Sequence, residues 1–111
     1  MIVATRTLKL RQVGGDVDVP VTIFAPEEDA VRGWGCRFEI GWPDGVRSLT
    51  ARGIDSMQAL EIALRLIGAQ LYTSAHHEAG ALMFDKSGAG YGFPVPQTLR
   101  DLLIGDDAKY F

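Results

Sequence analysis

The apolar residues of this chain change period once, at Asp55, and that change decides which class of fold is open to it. Upstream, Trp34, Cys36, Phe38, Ile40 and Trp42 alternate strictly with Gly35, Arg37, Glu39 and Gly41, the period of two that a strand with one buried face requires. Downstream, Leu60, Leu64, Ile67 and Leu71 fall at i, i+4, i+7 and i+11, the spacing of a helix with one apolar stripe. A sheet face and a helix stripe of this kind bury each other, so the chain reads as α+β.

Two further strands precede this pair. Residues 2–13 and 16–24 alternate about the Gly14-Gly15 turn, with Val17, Val19, Val21 and Ile23 on one face. Pro20 cannot donate to a ladder, which places its strand at an edge or turns the missing N–H to water. Residues 25–33, with Pro26 and the acids Glu27, Glu28 and Asp29, read as an exposed loop. Pro43-Asp44-Gly45 is turn chemistry, so residues 46–53 return as a fourth strand. The register that sets Trp42 against Arg47, Ile40 against Leu49 and Phe38 against Ala51 keeps apolar beside apolar. It is preferred to a three-residue loop that would leave Leu49 wet. It also groups Arg37, Glu39 and Arg52 on the outer face with the acid between the two guanidinium groups, and lays Arg47 over Trp42.

Asp55 is a good N-cap, and Gln58 three positions on completes an approximate capping box. Met57, Ile62, Ala63 and Leu66 widen the stripe about Leu64, and Glu61 to Arg65 forms an i,i+4 pair. Gly68 inside the helix costs about 1 kcal/mol relative to alanine, which a close approach by the sheet would explain. The helix fades over residues 74–77, Gly80 closes the segment, and residues 81–84 form a short strand. After the loop marked by Gly88, Gly90 and Gly92, Thr98 caps a small helix that turns Leu99, Leu102 and Leu103 inward and ends at Gly105. The whole is a single domain, residues 1–111: a four-stranded antiparallel meander with one long helix on one face, then a short strand and a small C-terminal helix.

The run Gly53-Ile54-Asp55-Ser56-Met57-Gln58-Ala59-Leu60, followed by Leu64, Ile67-Gly68 and Leu71-Tyr72 and preceded by Trp34, Cys36 and Phe38, resembles a family of small uncharacterised bacterial proteins, a domain of unknown function. The resemblance covers approximately residues 6–74. It is a structural signature of an aromatic strand and a capped helix, so it implies a fold and carries over no catalytic residues.

Charge and composition exclude several functions. A net charge of −3 offers no basic field to concentrate a polyanion, which argues against nucleic acid as the partner. No apolar run approaches the roughly 20 residues of a membrane span, and Arg6 falls where a signal peptide would need its hydrophobic stretch. The single Cys36 is consistent with a reducing compartment, and the expected location is the cytoplasm.

No constellation of catalytic residues or cofactor motif stands out, so no cofactor is expected. Lys86-Ser87-Gly88-Ala89-Gly90-Tyr91-Gly92 resembles a phosphate loop only in its glycines. Its lysine precedes them and Phe93-Pro94 follows where a helix should open, so a turn is the simpler account. His76-His77-Glu78 with Asp85 supplies metal-ligand atoms, but adjacent residues point apart and no i,i+4 pair exists; no metal is expected. Cys36 paired with His76 or His77 would make a nucleophile and base, yet the thiol lies on the buried face. Two function classes remain. The leading one is a non-catalytic interaction module that binds itself or another protein through a sheet edge, with Arg37, Glu39, Arg52, Glu27 and Glu28 as its surface. The alternative is a small-molecule site, or a minor enzyme, where His76, His77, Asp85 and Lys86 meet near the glycine loop.

Overall fold

The computed structural model describes all residues, Met1–Phe111. In chain order the elements are β1 (Ile2–Leu10), β2 (Val17–Phe24), β3 (Glu27–Asp29), β4 (Gly33–Trp42), β5 (Gly45–Gly53), α1 (Ser56–Tyr72), α2 (Ala75–Glu78), β6 (Leu82–Met83), a 3-10 helix (Gln97–Leu102) and α3 (Gly105–Tyr110). Strands β1, β2, β4 and β5 pair antiparallel in that order, which is the expected meander. Two short strands enlarge it to six: β3 pairs with the start of β4 and β6 with the end of β1.

Strand β3 corrects the loop expected over residues 25–33. The Asp29 carboxylate accepts from the backbone N–H of Val31 at 2.8 Å and Arg32 at 3.2 Å. This side-chain turn brings the chain back at Gly33, so Glu27 lies opposite Gly35. Strand β2 is central rather than at an edge. Its ladder to β4 runs only from Val21 to Ile23, and Pro20 sits beside Gly41 where that ladder has ended, which satisfies the proline's missing donor.

The β4–β5 hairpin closes one residue earlier than expected. Pro43 and Asp44 alone form the loop, so Trp42 faces Gly45, Ile40 faces Arg47, Phe38 faces Leu49 and Cys36 faces Ala51. Both the expected and the observed registers keep Leu49 and Ala51 on the inner face, because a shift of two preserves the period. The sequence pattern therefore fixed the face and left the offset to turn geometry, where proline at the first loop position decides.

Helix α1 begins as expected. Asp55 accepts from the N–H of Gln58 at 2.8 Å, and the Gln58 amide oxygen accepts in turn from Ile54 at 2.7 Å. Its buried face is rotated from the expected stripe. Ala59, Ala63, Ile67 and Leu71 are fully buried, Leu60 and Leu64 flank the contact half-buried, and Met57 is exposed. The small Ala59 lets the helix settle close on the sheet, where a Cβ at Gly53 of β5 would meet the Ala59 nitrogen at 2.5 Å. The remaining core comes from Leu8, Leu10, Val19, Val21 and Ile23.

Beyond α1 the chain departs further from expectation. Gly68 is approached not by the sheet but by the Pro94 carbonyl oxygen, which lies 1.8 Å from where a Cβ would stand. Thr98 caps nothing; the 3-10 helix starts after Pro96, and Gly105, at φ +56°, opens α3 instead of ending a helix. The extended backbone at Leu103 and Ile104 separates the two. Of the three leucines expected to face inward, Leu103 is buried, Leu99 is half-buried and Leu102 is exposed.

Candidate functional site

Residues from three strands meet on the sheet face opposite α1. Arg37 donates to the Glu39 carboxylate at 2.7 Å while its guanidinium lies 3.7 Å over the Phe24 ring. Opposite Gly35 stands Arg52, whose guanidinium occupies the space that a side chain at 35 would fill. In the observed register Glu39 therefore does not lie between the two arginines, as the expected pairing required. It faces Ser48 and is bonded to Arg37, four residue pairs along the hairpin from Arg52. Likewise Arg47 faces Ile40, and Trp42 stacks instead on His76, ring centroids 5.0 Å apart.

A cavity of about 290 Å³ opens on this face, lined by Met1, Phe24, Glu27, Glu28, Arg37 and Arg52 with neighbouring backbone. Four of the five charged residues expected to form an interaction surface thus share one cavity, and Glu39 adjoins it through Arg37. Asp29 also lines it, and its two backbone donors hold its carboxyl below the usual range. Arg37 is committed to Glu39 and Phe24, whereas Arg52 enters no ion pair. The arrangement presents one free guanidinium beside two free carboxylates, which suits a polypeptide surface carrying both signs of charge.

The residues expected near the glycine loop are not gathered in this way. None of the cavities is lined by His76 or His77, whereas Asp85 lines a different one, with Asp106 and Asp107. Lys86 is exposed where the chain folds back on Phe84. His77 belongs instead to a buried polar chain that the sequence did not reveal. Burial pushes the Tyr91 hydroxyl pKa up to about 12, aided by the Asp107 charge, and pushes His77 down. The Tyr91 hydroxyl and His77 Nδ1 share a hydrogen bond 2.5 Å long, and burial favours the neutral form of each group.

Asp107 is the centre of that chain. It is 2% exposed and accepts from the Tyr72 hydroxyl at 2.5 Å and from the backbone N–H groups of Tyr91 and Gly92, each at 2.8 Å. Burial and this bond raise the Tyr72 pKa far above its ordinary value. The glycine tract does cradle an anion, as its composition hinted, but the anion is the protein's own carboxylate. Gly90, at φ +91°, permits this because a Cβ there would meet the Asp107 carboxyl at 2.7 Å. Arg6 fastens the same loop from the sheet, donating to the carbonyls of Tyr91 and Gly92 at 3.0 Å each.

Cys36 is not a nucleophile in this arrangement. Its thiol donates to the Phe24 carbonyl at 3.4 Å, away from either histidine's partner, and burial raises its pKa. No three His, Cys, Asp or Glu side chains are grouped to hold a metal ion. No helix is long and apolar enough to cross a membrane.

A family model described as a domain of unknown function (DUF6968) matches residues 4–95. The match runs from β1 through the glycine loop, beyond the span of the resemblance seen in the sequence, and ends before Asp107. No curated protein and no solved structure is matched.

Proposed function

The chain belongs to this family of unknown function, and we propose from its geometry that it is a small non-catalytic protein-interaction module that receives a partner on the open face of its sheet. One observation carries the proposal: Glu27, Glu28, Arg37 and Arg52, scattered over 26 positions of sequence, line a single cavity. Arg52 would meet a partner carboxylate, and Glu27 and Glu28 a partner cation. Rim charges of this kind speed encounter and select partners more than they add affinity. Burial of the lone Cys36 fits a cytoplasmic location.

A small-molecule or metal site near residues 76–92 has less support, because the loop's N–H donors and His77 are engaged internally. The test is capture of partners by the tagged chain beside its Arg52→Glu and Glu27→Lys/Glu28→Lys variants. A partner held by the native chain and lost from both, with melting temperatures unchanged, supports the module. A partner retained equally by both removes this face from the reading. A thermal-shift screen of nucleotides, metals and metabolites tests the alternative, since a ligand at 100 times its Kd adds about 2.7 kcal/mol.

A further inference from the structure

Arg6 is half-buried and has no counter-ion. Its Nη1 donates to the carbonyls of Tyr91 and Gly92, and its guanidinium lies over the rings of Phe84 and Phe93, 4.8 and 5.1 Å from their centroids. Those contacts engage one nitrogen and the π faces; Nε and Nη2 make no hydrogen bond within the chain. Asp107, which bonds the amide of Gly92, is committed to Tyr72 and the two loop amides and forms no ion pair with Arg6. A guanidinium withdrawn from water ordinarily faces an acid, and here that place is left open.

Beside this guanidinium a cleft of about 130 Å³ runs between the sheet and α1. Ala4, Val21, Ile23, Leu64 and Phe93 give it apolar walls, while Arg6 supplies its only charge and Thr5 its only hydroxyl. The space exists because α1 packs chiefly on β4 and β5 and reaches the β1–β2 side only with its flank. Apolar walls with one or two placed polar groups are the pattern of a small-ligand site. The cleft lies on the face of the sheet that carries α1, away from the charged cavity.

We propose that this cleft binds a short-chain aliphatic carboxylate, whose two oxygens accept from Nε and Nη2 of Arg6 and whose tail lies along Ile23 and Leu64. The unpaired guanidinium sets the sign of the ligand, and its Nε–Nη2 edge presents two parallel donors that match a carboxylate bidentately. A phosphate dianion would call for a second cation, and none lines the cleft. A cavity of about 150 Å³ holds benzene, so an acid of about four to six carbons fills this one. The C-terminal end of a polypeptide fits less well, because Thr5 alone among the remaining side chains could meet its amides. The site is independent of the interaction module on the other face, and either reading can fail alone.

The experiment is an NMR titration of the full chain with hexanoate, hexanamide, inorganic phosphate and N-acetylleucine, following the Arg6 Nε–H and the amides of Gly92 and Phe93. Hexanoate should shift these signals saturably with a Kd of about 1 mM or tighter, within reach of a ligand of its size. Hexanamide, of the same shape without the charge, should bind at least about tenfold more weakly. Ala4→Phe fills the cleft from an exposed position and leaves the bonds of Arg6 in place, so it should weaken hexanoate at least about tenfold at an unchanged melting temperature. Arg6→Lys keeps the charge, loses the paired donors and should weaken it as well. The inference is overturned by no saturable shift, by hexanamide, phosphate or N-acetylleucine binding as tightly as hexanoate, or by native affinity in Ala4→Phe.

Discussion

Replacing Gly68 by alanine sets two effects of opposite sign against each other. In an open helix the change stabilises by about 1 kcal/mol. Here the new Cβ would stand 1.8 Å from the Pro94 carbonyl oxygen and 2.9 Å from its carbon, so residues 94–95 must retreat by more than an ångström. That segment is not free to move: Val95 is buried, and its carbonyl accepts from Arg65 at 3.1 Å. Overpacking of this kind costs about 1–3 kcal/mol, and a strained Arg65 bond adds about 0.5–1.5 kcal/mol. The net expectation is a loss of about 2 kcal/mol, seen as a lower urea midpoint at unchanged slope and a melting temperature reduced by roughly 8 °C. A Gly68→Ala variant as stable as the native chain, or more so, would show that the loop does not bear on the helix and refute this packing.

Three other outcomes follow from the buried groups. Asp107→Ala leaves the Tyr72 hydroxyl and two backbone donors unpaired and should cost about 3–5 kcal/mol, with Asp107→Asn costing less, both by urea denaturation. Ile67→Ala, at a fully buried position, should cost about 2–5 kcal/mol and more than Leu64→Ala at its half-buried one; the reverse order would place the core on the wrong stripe. His77 is held neutral in the fold below its ordinary pKa of 6.5, so the unfolded chain takes up more protons as pH falls through that value. Stability is therefore full above about 6.5 and declines on acidification towards the folded pKa, and His77→Gln should flatten this part of the profile. An unchanged pH dependence in that variant would mean the imidazole titrates freely.

The sheet, its buried face and the start of α1 were legible because each is written in local sequence: strict alternation about Cys36, Phe38 and Ile40, and a cap at Asp55 answered by Gln58. The hairpin offset was not, since a register shift of two leaves the same residues inside. Nor was the seat of α1, where the small Ala59 decides the approach although apolar scales rank the leucines above it. The charged surface was foreseen as residues but not as a cavity, because β3 supplies its rim and forms only through the Asp29 turn. The network about Asp107 lay beyond local reading, as its members come from positions 72, 77, 91 and 107. One signal was available: three glycines at alternate positions 88, 90 and 92 expose backbone donors, and such donors need an acceptor somewhere in the chain.

The contact between Asp107 and the glycine loop also bears on the order in which the molecule is completed. During synthesis the meander and α1 can associate once Tyr72 has emerged, since every pairing among β1, β2, β4 and β5 lies upstream of it. Arg6 can hold the loop from the sheet as soon as residues 91 and 92 exist, but until Asp107 has been made Tyr72 and the amides of Tyr91 and Gly92 are without their acceptor. A nascent chain should thus pass through a stage with its sheet and helix joined and the loop still accessible to proteases, and the last short helix acts as the latch that ends it.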